Sequence, residues 1–344
     1  MSAMSESQNG NVVAIAGATG AVGEVLLRVL EQREFPVSEL RPLASERSAG
    51  KTIRFRGEDL AVRTACAEEF DGCDFVFFAA TGALSKELAP EAARRGAIAI
   101  DKSGTWRMDP EVPLVVPEVN GAAVEDHHGI IACPNCTTVP LVMVLEAIRR
   151  SVELRHVIVT TLQAVSGAGL PGVDELDEQL AATQRGEAVA SPKTFAAQIA
   201  HNAVPLCESF CDDGYSTEEH KLRAETRKIL GLPDLDLSMT CIRVPVRVGH
   251  SGSVLIETDR PLDPADARDL LAGFPGIEVL DDPASSLFPT PLDAEGRDEV
   301  LVGRVRKDLT SDRLWLWEVC DNLRKGAATN AVQIAEEVLR RGVR

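Results

Sequence analysis

The chain is short of cations. Its 344 residues hold 36 Lys and Arg against 53 Asp and Glu, a formal net charge of −17 at pH 7. That balance disfavours nucleic acid and anionic membrane as partners, and it means that a small anionic substrate needs a locally basic pocket. Long apolar runs are missing as well: none reaches the ~18–20 residues that a membrane-spanning helix requires. The polar opening, residues 1–10, lacks the apolar stretch of a secretion signal and reads as a frayed tail. Eight cysteines lie scattered at positions 66, 73, 133, 136, 207, 211, 241 and 320. In so long a chain without a secretion signal they read as reduced thiols of a cytoplasmic protein, not as a disulfide framework. Zinc would need two more ligands at recognisable spacing beside Cys133 and Cys136; none is evident, and no metal site is expected. Internal repeats and low-complexity segments are absent too.

A length of 344 residues suggests about two domains. In the first third, short apolar runs alternate with helical patterns. Residues 11–16 (NVVAIA), 40–44, 75–80 (FVFFAA) and 97–100 read as strands, and 24–32 and 84–95 as helices. The continuous apolar run at 75–80 marks a strand buried on both faces. This β-α alternation predicts a doubly wound parallel sheet. Later the texture changes: 157–162, 238–248, 253–258 and 314–320 read as strands, 174–184 and 217–230 as helices, and 167–172 and 283–291 as loops. The fold expected is α/β, with an N-terminal Rossmann-type domain on the doubly wound sheet and an α+β second domain built on a mixed sheet.

Two motifs carry chemistry. Gly17, Gly20 and Gly23 fall where the first strand turns into the first helix. Glycines there permit a tight turn and close approach of a pyrophosphate, which the helix N-terminus attracts. Past the second strand, Ser45, Arg47 and Ser48 suit a 2′-phosphate, whereas the acid Glu46 suits a 2′-hydroxyl. NADP is preferred over NAD on that balance. The second motif is ACPNCTT, residues 132–138, ahead of an apolar helical stretch at 139–148. A cysteine at a helix start feels unpaired N–H groups and the positive end of the dipole, which favour the nucleophilic thiolate. Cys133 and Cys136 are formally C-x-x-C, so a redox pair is the alternative; Cys207 and Cys211, at helical spacing, read as core thiols.

A cysteine nucleophile calls for an acid/base, and histidine is the usual one near neutral pH. His127 and His128 lie in a polar stretch and are expected in solvent. His156, His201 and His220 lack suggestive neighbours. His250 follows RVPVRVG at what reads as the end of a strand before a turn, a plausible active-site rim.

GATGAVG (17–23), SERSAGK (45–51), VPLVVPEVN (112–120), PNCTT (134–138), QAVSGAG (163–169), EEHK (218–221), RVPVRVGHS (243–251) and DNLRKGAATNAVQIAE (321–336) together resemble the bacterial-type aspartate-semialdehyde dehydrogenases over nearly the whole chain. The resemblance implies that Cys136 is the nucleophile, His250 the acid/base, and Gln163 a residue beside the thioester that helps to place the substrate. It implies Arg243 for the substrate α-carboxylate and Glu218 for the α-ammonium. Arg107, Asn135 and Lys221 would hold inorganic phosphate or the acyl phosphate. Gly17, Thr19, Gly20, Ala21 and Val22, with Ser45, Arg47 and Ser48, would bind NADP, and Ser166, Gly167 and Asn322 would lie along its nicotinamide side. Residues 11–135 with 327–344 would form the NADP-binding domain and 136–326 the catalytic and dimerisation domain. The activity implied is reversible conversion of aspartate semialdehyde, phosphate and NADP⁺ into aspartyl phosphate and NADPH, in a cytoplasmic homodimer or tetramer. Its biosynthetic direction feeds lysine, threonine and methionine synthesis. Alternatives are a related phosphorylating reductase such as N-acetyl-glutamyl-phosphate reductase, whose substrate has a blocked amine, a CoA-thioester reductase without phosphate ligands, and a catalytically silent paralogue.

Overall fold

A computed structural model describes residues 10–343, so all of the polar opening but Gly10 lies outside the described residues. The chain divides into two compact units, Met1–Pro134 with Ala327–Arg344, and Asn135–Gly326.

In the first unit the apolar runs become strands and the amphipathic runs between them helices: β1 (Asn11–Ala16), α1 (Ala21–Gln32), β2 (Val37–Ala44), the hairpin β3 (Thr52–Phe55) and β4 (Glu58–Ala61), then β5 (Arg63–Thr64), β6 (Phe75–Phe78), α2 (Gly82–Arg94), β7 (Ile98–Asp101), the short α3 (Pro117–Asn120) and β8 (Ile130–Ala132). The sheet order is β5-β2-β1-β6-β7-β8, paired in parallel throughout. All four residues of β6 and of β7 are buried, which explains the apolar runs at 75–78 and 98–100; Asp101, which ends β7, is a buried carboxyl. From β1 the chain goes to β2 on one side and later returns to β6 on the other. The carboxyl end of β1 is therefore a topological switch point, where open α/β sheets bind ligands.

The second unit holds α4 (Thr138–Arg149), β9 (Leu154–Gln163), α5 (Leu170–Gln184), α6 (Thr217–Leu230), β10 (Asp236–Arg243), β11 (His250–Thr258), α7 (Pro264–Ala272), β12 (Ile277–Val279), α8 (Pro291–Ala294), β13 (Val300–Lys307) and β14 (Leu314–Cys320). Its sheet, ordered β10-β9-β11-β14-β13-β12, is mixed: β9 and β10 are parallel, whereas β11 runs against both β9 and β14. Helix α6 begins in a capping box of Ser216 and Glu219 and ends at Gly231, whose φ of 64° suits a residue without a β-carbon. The last helix, α9 (Thr329–Arg341), belongs to the first unit and pairs its Glu336 with Arg33 at 2.7 Å.

Several expectations need correction. The strand expected over 238–248 stops at Arg243, because Pro245 has no N–H for a ladder and Gly249 turns the chain at φ 98°. His250 thus opens β11 instead of closing a strand. Residues 167–172, expected as loop, contain the end of a 3-10 turn (Val165–Ala168) and the start of α5. The expected loop 283–291 likewise holds a 3-10 turn (Pro283–Ser285) and the first residue of α8. His127 is half-buried instead of solvent-exposed, and burial depresses its pKa. Two of the remote histidines do have neighbours: His220 Nε2 lies 2.9 Å from Asp213 and His156 Nε2 3.8 Å from Asp236, both pairs at the surface.

Strand register brings four polar side chains to one level of the second sheet. Arg243 of β10 pairs with Gln163 of β9, and His250 of β11 with Cys320 of β14. Leu162 faces Ser251, so Gln163 and His250 stand at the same level one residue further on. Directly paired residues share a face. Arg243, Gln163, His250 and Cys320 therefore form one transverse row. Two residues down the strands lies a second row containing Thr161, Gly252 and Glu318.

Glu318 is almost wholly buried, and its Oε2 makes no hydrogen bond among the described residues. A β-carbon on Gly252 would come within 2.3 Å of its other oxygen, so the glycine makes room for the carboxyl. Burial alone pushes the Glu318 carboxyl up to about 8. Between the ordinary carboxylate range and that value the unfolded chain loses this proton while the folded chain keeps it. Stability accordingly falls as pH rises through that window and levels off above it. Relative to Glu318→Gln, the wild type should lose roughly 3 kcal/mol of unfolding free energy between pH 4 and pH 7. Denaturant unfolding of both proteins across pH 4–9 measures this; parallel pH profiles would contradict the buried neutral acid.

Candidate active site

The first unit offers a cradle for a dinucleotide. Gly17 N and Ala18 N both donate to Leu43 O of β2, which sets the turn after β1 beside the end of β2. A β-carbon on Gly17 would come within 2.4 Å of Ala79 O, and one on Gly23 within 2.2 Å of Gly17 O. Only hydrogen fits at both places, so α1 starts close beneath the turn, with Gly20 as N-cap and no side chain capping its first amides. That arrangement fits a pyrophosphate. Thr19, Gly20, Ala21 and Val22 line it, each half-buried. Ser45 occupies the N-cap position, without a side-chain capping bond, of a 3-10 turn, Glu46–Ser48, that follows β2 directly; Arg47 is exposed and Ser48 buried. Arg107, nearly buried, donates from Nε to Cys133 O at 3.0 Å and from Nη2 to Lys102 O at 2.8 Å.

The second unit assembles the remaining candidates. Cys136 is half-buried and lies one residue ahead of Thr137, the N-cap of α4, so the helix opens just beyond it. A β-carbon on Gly326 would come within 2.9 Å of Cys136 Cβ, and Cys320 Sγ lies 3.9 Å from Cys136 O. The candidate nucleophile thus stands at the Cys320 end of the polar row.

Next to it, the Glu218 carboxylate holds two amides. Asn135 Nδ2 donates to one oxygen and Gln163 Nε2 to the other, both at 2.9 Å. Gln163 Oε1 accepts from Thr161 at 3.2 Å. Asn135 Oδ1 accepts from the amide and hydroxyl of Thr137. Arg243, nearly buried, donates to Ala164 O at 2.7 Å and lies over the Phe195 ring at 5.9 Å. His250 Nδ1 accepts from Ala164 N at 3.0 Å, so the neutral ring carries its proton on Nε2. Ser166 and Asn322 bond each other, and Asn322 Oδ1 accepts from Gly249 N at 2.9 Å, fixing the turn that precedes His250.

Lys221 is engaged as well. Its Nζ contacts both oxygens of Glu208 and lies 3.7 Å from Glu218.

Burial acts strongly on four of the other thiols. It pushes Cys73 up to about 11 and Cys207 to about 12, and raises Cys241 and Cys320 well above the ordinary range. Cys133 belongs to the first unit, is fully buried and accepts from Asn330 Nδ2 at 3.3 Å. Among the described residues no cluster of metal-ligating side chains occurs.

Two residues escaped the sequence reading. Glu225 accepts from Asn135 N at 2.7 Å and Thr138 Oγ1 at 3.0 Å, bracketing Cys136. Its spacing of seven from Glu218, two helical turns on one face, was the available signal. Glu208 gave none, because its partner Lys221 lies 13 residues away across an irregular segment.

A family profile described as "Semialdehyde dehydrogenase, NAD binding domain" matches residues 12–127, and "Semialdehyde dehydrogenase, dimerisation domain" matches 145–325. The aspartate-semialdehyde dehydrogenase of Aquifex aeolicus is 48% identical over 335 residues, 96% of this chain and 98% of the relative. The chain belongs to the aspartate-semialdehyde dehydrogenase family. The crystal structure of aspartate semialdehyde dehydrogenase II from Vibrio cholerae complexed with ASA is similar, with a TM-score of 0.93 and 46% identity over 97% of this chain and 99% of that one. The Candida albicans enzyme of this family, solved with NADP, has a TM-score of 0.76 at 26% identity, covering 98% of this chain and 100% of that one.

Gly167 lies against this family's candidate chemistry in the second unit. A β-carbon there would come within 2.7 Å of Arg243 Nη1 and 3.0 Å of His250 Nε2. Neither neighbour yields easily, since Ala164 holds both. Gly167→Ala should therefore lower kcat/KM at least about tenfold, with a stability loss of about 1–3 kcal/mol from the crowding. Steady-state kinetics with a melting curve check this; wild-type kinetics would separate Gly167 from the site.

Proposed function

We propose that the chain catalyses reversible, NADP-dependent phosphorylating oxidation of L-aspartate 4-semialdehyde to 4-aspartyl phosphate through a thioester on Cys136. In this reading the protein is a cytoplasmic homodimer, or a tetramer of dimers, and the biosynthetic direction is the reduction. The observation that carries the reading is the Glu218 carboxylate, buried between Asn135 and Gln163 and placed in one unit with Cys136, His250 and Arg243.

Each role follows from the chemistry of the group. Arg243 offers a planar fork to the substrate α-carboxylate. Glu218 uses one lone pair on each oxygen for the two amides and keeps others for the α-ammonium. This favours aspartate semialdehyde over an N-acylated substrate, which has no cation to offer. Gln163 holds the carbonyl end beside the thiol. Arg107, Asn135 and Lys221 supply cations and an amide for phosphate. In the first unit the glycine cradle from Gly17 to Val22 takes the pyrophosphate, and Ser45, Arg47 and Ser48 take the 2′-phosphate that distinguishes NADP. Ser166, Gly167 and Asn322 serve the nicotinamide end.

The Cys136 thiolate adds to the aldehyde carbon. With Nδ1 already accepting from Ala164, His250 directs Nε2–H at the oxyanion as it forms. When bound, the nicotinamide supplies the acceptor for the hydride that leaves the former aldehyde carbon, and Cys136 is left as an acyl thioester. Phosphate held by Lys221 attacks the thioester carbonyl, the C–S bond breaks, and aspartyl phosphate departs. Splitting one hard step into two easier ones is what the thiol contributes.

Cys136→Ser should lower phosphate-dependent NADPH formation on the order of a thousandfold or more, with NADP binding changed less than about twofold. Initial rates and a fluorescence titration with NADPH test the pair of outcomes; retained turnover would overturn the assignment. Arg243→Lys replaces a fork with a point charge and should cost about a hundredfold in kcat/KM for the semialdehyde, leaving the KM for NADP⁺ nearly unchanged. Equal losses for both substrates would remove Arg243 from the carboxylate site.

A further inference from the structure

Glu208 occupies the cation that phosphate needs. Lys221 Nζ contacts both Glu208 oxygens and stands 3.7 Å from Glu218, so two carboxylates surround one ammonium. A phosphate dianion arriving at Lys221 meets a net negative cluster unless one carboxylate leaves. Glu218 is 4% exposed and tied to two amides, so it is the fixed partner. The Glu208 side chain is 45% exposed, which leaves it room to swing into solvent.

Its segment is aimed at the site. Val204 pairs through both backbone bonds with Arg243, at 2.9 and 2.8 Å, and Ser209 O accepts from Thr217 N at the start of α6. Between these anchors Glu208 adopts a left-handed backbone with φ 66°, which a residue with a β-carbon takes at a cost. Thr217 Oγ1 donates to Glu208 Oε2 at 2.7 Å and orients the carboxylate toward Lys221.

We infer that Glu208 is an anionic gate on the phosphate subsite: it neutralises Lys221 while the subsite is empty and is displaced by the incoming phosphate dianion. The inference rests on the proposed phosphate role of Lys221. Its consequence is a phosphate KM set by competition between two anions for one ammonium. A gate of this kind discriminates by charge, because a dianion competes with a carboxylate better than a monoanion does.

The test is steady-state phosphate kinetics at saturating semialdehyde and NADP⁺ for wild type, Glu208→Gln, Lys221→Met and the double variant, with melting curves for all four. Glu208→Gln keeps the shape and removes the charge. Its phosphate KM should fall roughly two- to fivefold, the range of a partly exposed ion pair, while kcat and the KM for the semialdehyde stay within about twofold. Lys221→Met should raise the phosphate KM, and Glu208→Gln should have no effect in that background. If Lys221→Met alters phosphate KM but Glu208→Gln leaves it unchanged or raises it, Glu208 merely supports Lys221 and the gate is overturned. If Lys221→Met leaves phosphate KM unchanged, the phosphate reading of Lys221 falls and the gate with it. If Glu208→Gln shifts every kinetic constant together with the melting midpoint, the role is structural and the gate is again overturned.

Discussion

One buried carboxylate organises the candidate site. Glu218 receives Asn135 Nδ2 on one oxygen and Gln163 Nε2 on the other. Those bonds join the segment carrying Cys136, the carboxyl end of β9, and the first turn of α6. Each is charge-assisted and shielded from water, so each is stronger and more directional than a surface contact. Removing the carboxylate would leave two buried amides without an acceptor. The thiol, the row of side chains on the sheet and the flanking cation all take their places relative to it.

The row itself comes from strand register. A shift of one residue in β9, β10 or β11 would send Gln163, Arg243 or His250 to the opposite face. Packing of apolar residues along the same strands fixes that register, as with Val157 and Val159 of β9 and Val254 and Ile256 of β11, all nearly inaccessible. Hydrophobic burial thereby aligns the polar chemistry at the strand ends. In the first unit the same division holds: the buried strands β6 and β7 fix the sheet, and glycines that admit no side chain shape the turn after β1.

Much of this was legible in the sequence. The β-α alternation, the glycine turn and the boundaries of α6 and β14 follow from local pattern, because each depends on neighbours within a few residues. The residues singled out in the second unit do gather there, although their partners were hidden. Asn135 and Lys221, read as phosphate ligands, also bond Glu218 and Glu208. His250 was misplaced on its strand because RVPVRV looks like a continuous β run, and the effect of Pro245 is local and easily outweighed by β-branched neighbours. Glu225 and Glu318 were passed over because charged residues are usually solvated. Only tertiary structure reveals that one brackets Cys136 and the other is a buried acid over Gly252.

The most direct measurement of the central claim is intact-protein and peptide mass spectrometry after incubation with aspartate semialdehyde and NADP⁺ in phosphate-free buffer. A thioester on Cys136 gives one added β-aspartyl acyl group per chain, on that residue, discharged when phosphate is supplied. No acyl adduct despite NADPH formation, or an adduct on another cysteine, would contradict it.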